Sequence, residues 1–360
     1  MAELRIVQLT GSSTGGVARH ARELATGLDR GGHRVILAGP PEVIAEAAVR
    51  TERIDISDRP RPGDARAVRQ IRRLAQGADI VHAHGLRAGA LAALAIGAKD
   101  RARLVITWHN KPVGAALVTA VGAGLERLNV RAADVILGVS GDLVSRAQAL
   151  GAAHAERALV PAPPGPPGNL EAQLTSARAD LGLRRGDQVV LTVARLAPQK
   201  GLGLLADTAA LLADRAPRAR WLLAGAGPMQ ADLAEQIEAE ALPVELLGNR
   251  GDVRALLALA DVVVSTSSWE GQPLNLQEAL QAGAPIVATD VGGTGEVTGP
   301  AARLVPDADP DALVTQIVAV LSQPELAAQM RAAAAQRATE LPDAADSLDQ
   351  ILGLYHRVIG

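Results

Sequence analysis

The chain has no cysteine and no phenylalanine, and its 360 residues include one tyrosine and three tryptophans. Without cysteine there is no disulfide, no thiol nucleophile and no thiolate metal site. With so few aromatic rings the core has to be built from Leu, Val, Ile and Ala. Little remains on which nucleobases could stack, which argues against single-stranded nucleic-acid binding. The formal net charge of -3 also supplies no global attraction to a phosphate backbone. No apolar run approaches the ~20 residues of a membrane-spanning helix. The first stretch, MAELRIVQLTG, reads as a strand and turn, not as a charged segment followed by an apolar signal core. The expectation is a cytoplasmic protein without nucleic-acid partners, with peripheral contact at the inner membrane surface left open. Nothing in the pattern fixes an oligomeric state.

What is present is an ordinary globular composition, 48% hydrophobic and 21% charged, in a chain long enough for two domains. Apolar runs at residues 4–9, 34–38, 53–56, 80–83, 104–107 and 135–139 read as strands. Amphipathic segments at 17–30, 65–76, 86–98, 113–131 and 142–150 read as the helices between them. Such alternation implies a parallel sheet with helices on both faces. The run Pro-Ala-Pro-Pro-Gly-Pro-Pro-Gly at residues 161–168 then ends all periodicity, because proline continues neither helix nor ladder. After it the rhythm restarts, with strands at 189–193, 221–224, 244–247, 262–265, 286–288 and 303–305. From residue 310 the chain reads as helical, broken near Pro324 and Pro342. The fold class is therefore α/β with two Rossmann-like domains, 1–162 and 169–342, joined by a linker at 163–168.

Several loops at strand ends carry polar chemistry. Arg195 and Lys200, in Ala-Arg-Leu-Ala-Pro-Gln-Lys-Gly, are loop cations with Pro198 and Gly201 shaping the turn. Glu270 lies beyond a buried strand, and Glu278 two turns along the helix that starts near Gly271, Pro273 and Leu274. Carboxylates in such a crevice can each accept two sugar hydroxyls, although two glutamates at this spacing are also common on solvated helices. Gly11-Ser-Ser-Thr-Gly15-Gly16 opens the first helix and is neither a Walker A loop nor G-x-G-x-x-G. Gly225-Ala-Gly227 and Gly248-Asn-Arg250 are further glycine turns after strands. His82 and His84 share a strand face, and His109 ends the next strand; no third ligand near the pair suggests a metal. Asp307-Ala-Asp309 precedes Pro310 and a helix, so capping explains it better than metal binding. Arg66, Arg69 and Arg73 line one side of a helix, with Arg59, Arg61 and Arg72 nearby; this is either a solvated face or a patch for a phosphorylated acceptor or anionic lipid.

Taken together, E-G-x-P-L-x-x-x-E-A-L from Glu270, G-x-P-I-V-A-T-x-x-G-G from Gly283 and R-x-x-x-x-K-G from Arg195 resemble the retaining glycosyltransferases of family four, which have the GT-B fold. The resemblance spans essentially the whole chain. It implies two lobes across a cleft, with the terminal helix, about 343–360, crossing back to the first lobe. It implies a nucleotide-diphosphate sugar as donor, uridine before guanosine, with no cofactor and no metal, and an unidentified acceptor. Arg195 and Lys200 would stabilise the leaving diphosphate, while Glu270 and Gly271 meet the sugar and Glu278 the ribose. Gly15, Gly16, Gly225, Gly227, Arg250, Pro273 and Leu274 would line the donor site, and His109 would lie near the reacting centre. His84 and the Arg66, Arg69 and Arg73 row are carried as acceptor candidates. Gln272 and Asn275 depart from the small or apolar residues commoner in that family. A nucleotide-sugar epimerase of the same fold and a non-catalytic scaffold are the competing readings.

Overall fold

The computed structural model describes residues 3–13, 15–97, 101–112, 116–165 and 169–360. The start of the helix expected over 113–131, the end of that expected over 86–98 and the last part of the expected linker lie outside them. The chain divides into two compact units, Met1–Val160 with Pro342–Gly360, and Pro161–Leu341.

The first unit runs β1 (Arg5–Thr10), α1 (Gly16–Arg30), β2 (Arg34–Gly39), α2 (Pro41–Ile44), β3 (Arg50–Arg53) and α3 (Asp64–Ala75). It continues with β4 (Ile80–His84), α4 (Leu86–Ala95), β5 (Arg103–Trp108), α5 (Ala116–Ala132), β6 (Val135–Gly138), α6 (Gly141–Ala149) and β7 (Ala155–Arg157). Its strands form one parallel sheet in the order β3-β2-β1-β4-β5-β6-β7. β1 and β4 are buried almost throughout, as expected of strands covered on both faces. In α1, Ala18, Ala21, Leu24, Ala25 and Leu28 repeat at helical spacing and face inward.

The second unit runs α7 (Leu170–Asp180), β8 (Gln188–Val193), α8 (Leu202–Arg215), β9 (Ala219–Ala224), α9 (Gln230–Ala239), β10 (Val244–Gly248), α10 (Val253–Leu259) and β11 (Val262–Ser265). It ends with α11 (Leu274–Gln281), β12 (Ile286–Thr289), α12 (Thr294–Thr298), β13 (Ala302–Val305), α13 (Pro310–Ser322) and α14 (Pro324–Glu340). Its parallel sheet has the order β10-β9-β8-β11-β12-β13. The last helix, α15 (Ala344–Ile359), packs in the first unit. It starts in a capping box between Asp343 and Asp346. Gln350 then accepts from the Leu159 amide and donates to the Arg157 carbonyl, at 2.9 and 2.7 Å.

Each sheet reverses its winding once, between β1 and β4 and between β8 and β11. Ligand crevices open at such points, outside the carboxyl ends of the strands. One expected strand is displaced: β3 covers Arg50–Arg53, not 53–56. It is an edge strand with mostly exposed side chains, whereas Ile54 and Ile56 are buried in the loop that follows. The apolar signal there marked burial and not a ladder. The expected pattern omitted α2 and β7, which are too short to show a period.

With aromatics nearly absent, each tryptophan matters. Trp221 is fully buried in the aliphatic core of the second unit, and its indole N–H donates to Thr192 Oγ1 at 3.0 Å. Trp221→Ala is expected to cost about 3–5 kcal/mol. The measurement is the urea midpoint by circular dichroism; an unchanged midpoint would show that the site collapses without loss.

Candidate functional site

In the second unit the β8–α8 and β11–α11 loops are sewn together. The Ser268 amide donates to the Gln199 carbonyl at 2.9 Å, and Gln199 Nε2 donates to the Trp269 carbonyl at 2.7 Å. Thr266 Oγ1 donates to the Lys200 carbonyl at 2.9 Å. The approach is so close that a Cβ on Gly201, which is left-handed at φ 60°, would overlap the Thr266 carbonyl oxygen. This seam brings Lys200 Nζ within 2.5 Å of Glu270 Oε1, where the Ser267 hydroxyl also donates at 2.5 Å. Glu270 is 5% exposed, so these two partners stand in for the water its carboxyl oxygen lacks. Its backbone is held too, because its carbonyl accepts from the Gly293 amide at 2.9 Å.

Arg195 hangs from the same β8 loop, exposed, and has no ion-pair or hydrogen-bond partner among the described residues. Pro273 caps α11 and Leu274 is its first residue; Gly271 is buried beside them and Glu278 is half-buried on the second turn. Asn275 is accounted for: its Nδ2 donates to the Val193 carbonyl at 3.0 Å, pinning the first turn of α11 to the end of β8. Gly225 and Gly227 lie against the other side of the β8 loop. The Leu196 amide donates to the Ala226 carbonyl at 3.1 Å, and a Cβ on Gly225, at φ 135°, would overlap the Ala194 carbonyl oxygen. Arg250 is at the same sheet end, but its guanidinium is engaged in a fork by Asp252, at 2.8 and 2.6 Å. That guanidinium holds the Asp252 carboxyl below its usual range.

The first unit places Gly15, at φ 75°, as the cap of α1, with Gly16 as its first residue. Behind that loop lies a buried polar chain. His109 Nε2 is 3.2 Å from His84 Nδ1, and His84 Nε2 is 2.7 Å from Gln8 Oε1. Gln8 Nε2 donates to the Tyr355 hydroxyl at 2.8 Å, which lies 2.8 Å from His82 Nδ1. His82 Nε2 ends the chain 2.7 Å from Thr107 Oγ1. His20 packs edge-on against the rings of His84 and His109, both at 5.8 Å. Gln8, Thr107, His20 and Tyr355 were not among the sequence candidates; a Gln inside an apolar strand and a lone Tyr were the available signals. Both ring nitrogens of His84 are taken and the residue is 2% exposed, so direct acceptor contact has no free nitrogen to use. Arg66, Arg69 and Arg73 are exposed on α3, which contributes no residue to this buried hydrogen-bond network. A separate cavity of about 770 Å³ opens at the β1 and β3 loops, lined by Ser12, Glu42, Asp58, Arg59, Arg61 and Asp64 among others. No group of three or more metal-ligating side chains forms a metal site among the described residues.

Burial keeps the imidazoles uncharged. Desolvation lowers His20 to about 4 and His82 to about 3, and takes His84 and His109 well below 6.5. Folded values below the unfolded value mean that the unfolded chain binds more protons, so stability falls as pH drops from 6.5 toward 4. Every imidazole that stays neutral in the folded state adds to that slope. Urea midpoints between pH 7 and 4.5 should therefore decline, and more gently in His20→Leu; equal slopes would refute this origin.

Two family models match the chain: glycosyl transferases group 1 over residues 175–337, and a glycosyl transferase 4-like domain over residues 15–163. Among curated proteins it is similar to the alpha-D-kanosaminyltransferase of Streptomyces kanamyceticus, 29% identical over 201 residues, 52% of this chain and 51% of that protein. It is also similar to the GDP-mannose-dependent alpha-(1-6)-phosphatidylinositol monomannoside mannosyltransferase of Mycolicibacterium smegmatis, 29% identical over 245 residues and 63% of each chain. The chain thus spans about half to under two thirds of the length of these relatives. Among solved structures it shares the fold of Anabaena HepE in complex with UDP, with a TM-score of 0.81 at 21% identity over 98% of this chain and 100% of that one. Two parallel sheets, each wound outward from its middle, and family matches to both halves agree: the chain has the GT-B fold, with a glycosyl transferase 4-like domain in its first half and a glycosyl transferases group 1 domain in its second.

Proposed function

We propose that this chain is a retaining glycosyltransferase that moves a sugar from a nucleotide-diphosphate sugar to an acceptor hydroxyl without a metal ion. The observation that carries the reading is the gap between β8 and β11. There the loops after β8 and β11 carry a guanidinium with no partner among the described residues, Arg195, and an ion pair, Lys200–Glu270, whose carboxylate is buried.

Each group has a task that suits its setting. Bond breaking leaves negative charge on the departing diphosphate, and fixed cations in a low-dielectric site stabilise that charge without reorganising. Arg195 offers a planar fork for phosphate oxygens. Lys200 contributes its ammonium and, by holding Glu270, orients the carboxylate that receives a sugar hydroxyl. The backbone at the start of α11 faces sugar or phosphate oxygen, and Glu278 takes the ribose hydroxyls. Gly225 and Gly227 line the nucleotide side. Arg250 enters as a fixed Arg250–Asp252 pair, not as a free cation. The first unit supplies the acceptor surface, with His109 near the reacting centre and the 770 Å³ cavity, lined by both acidic and basic groups, suited to a polar acceptor. A uridine nucleotide is favoured, since HepE has been solved with UDP and with UDP-glucose. Guanosine comes next, since the mycobacterial relative is named as GDP-mannose-dependent.

A thermal-shift panel of nucleoside diphosphates, with and without EDTA, tests the donor. A ligand at 100 times its Kd adds ~2.7 kcal/mol. The expected result is selective stabilisation by UDP, indifferent to EDTA and lost in Glu278→Ala; no response to any nucleotide would sink the transferase reading. The cations need a different variant. Lys200→Ala strands the buried Glu270 and confounds activity with folding, whereas Arg195 has no partner among the described residues to strand. Arg195→Ala is expected to keep the wild-type melting temperature and lower kcat by about 10²–10³-fold, assayed by release of the nucleoside diphosphate. Full turnover in that variant would remove Arg195 from the mechanism.

A further inference from the structure

We infer that Tyr355 and Gln8 are positioning residues for His109, fixing its proton on Nε2 and leaving Nδ1 as a lone-pair acceptor for a ligand hydroxyl. The inference rests on the proposed placement of His109 near the reacting centre, but the chain itself can be tested apart from it.

The direction follows from what each atom can do. A carbonyl oxygen only accepts, so His84 Nε2 must donate to Gln8 Oε1 across 2.7 Å. A neutral imidazole carries one N–H, so His84 Nδ1 must accept, and its neighbour at 3.2 Å, His109 Nε2, must donate. His109 Nδ1 is then the nitrogen without a proton, and no described residue partners it. In this orientation the other end of the Gln8 amide meets the phenol. Gln8 Nε2 donates to the Tyr355 oxygen at 2.8 Å, and the Tyr355 proton goes to His82 Nδ1, also at 2.8 Å. His82 Nε2 then donates to Thr107 Oγ1. Every step points the same way, and all these side chains are at most 8% exposed, so water offers little alternative. If the amide of Gln8 turned over, each bond would reverse and His109 would present an N–H instead. Choosing the tautomer therefore chooses whether His109 accepts from a hydroxyl or donates to it, and the chain that carries the choice runs through a phenol on α15, at the far end of the sequence.

The experiment is ¹⁵N–¹H correlation of the histidine rings in the full chain, comparing wild type with Tyr355→Phe and Gln8→Leu. Wild type is expected to show His109 as the Nε2–H tautomer alone, with loss of that single-tautomer pattern in both variants. Gln8→Leu breaks the chain at another bond, so it serves if Tyr355→Phe does not fold. A wild-type His109 protonated at Nδ1, or a pattern unchanged in a folded variant, would overturn the inference. UDP-glucose hydrolysis serves as a second probe on the same proteins. A changed tautomer with a lowered kcat supports both chain and role. A changed tautomer with unchanged turnover keeps the chain and removes His109 from the reaction.

Discussion

A parallel sheet wound outward from its middle leaves one gap where crossover helices depart to opposite faces, and in this chain that gap occurs once per sheet. Backbone carbonyls and amides converge there that neither strand nor helix can satisfy internally. In the second unit the β8 and β11 loops satisfy one another, through Ser268 with Gln199 and Thr266 with Lys200. Glycine at 201 permits the approach because a Cβ would meet the opposing carbonyl. The proposed site is thus set on backbone seams whose geometry is over-determined. Side chains mounted on such seams lose little further entropy when they meet a ligand.

Lys200 and Arg195, five residues apart on one loop, illustrate how placement divides labour between like charges. Lys200 is mostly enclosed and shares its ammonium with Glu270, so an arriving diphosphate would compete with a carboxylate for it. Arg195 is exposed and uncommitted among the described residues. In the proposed reaction one cation holds geometry before the donor arrives and the other responds to charge as it develops. Arg250 differs from both, since its fork is already occupied by Asp252.

Much of this was legible in the sequence because it depends on local signals. Apolar runs marked β1, β4, β8 and β11, and glycine and proline marked the loops beyond them. Lys200 and Glu270 were each singled out, yet nothing local says that residues 70 apart would touch. The polar chain of the first unit is harder still: Gln8 and Tyr355 are 347 residues apart. His20 occupies an inward position of α1 that periodicity assigns to the core, which is where it lies. His84 reads as a hydrogen-bonded strand-end histidine, but its two partners, His109 and Gln8, come from other elements and no local signal names them. What failed at β3 failed for a related reason, since burial of Ile54 and Ile56 is a tertiary property that mimics a strand pattern.

The two gaps are built for opposite electrical tasks. The second unit spends its buried contacts on charge, with an ammonium and a carboxylate that would be costly if separated. Its counterpart buries imidazole, amide, phenol and hydroxyl groups, and burial keeps the imidazoles neutral. Aliphatic side chains in those positions would fold at least as well, since a polar group gains little net stability from a buried hydrogen bond. What aliphatics cannot do is specify direction. A satisfied neutral chain orders each donor and acceptor along it. Leaving-group stabilisation needs charge, whereas aligning a neutral hydroxyl needs a lone pair at a known place. On that argument the histidines remain uncharged because the proposed reaction requires orientation from the first unit and electrostatic stabilisation from the second.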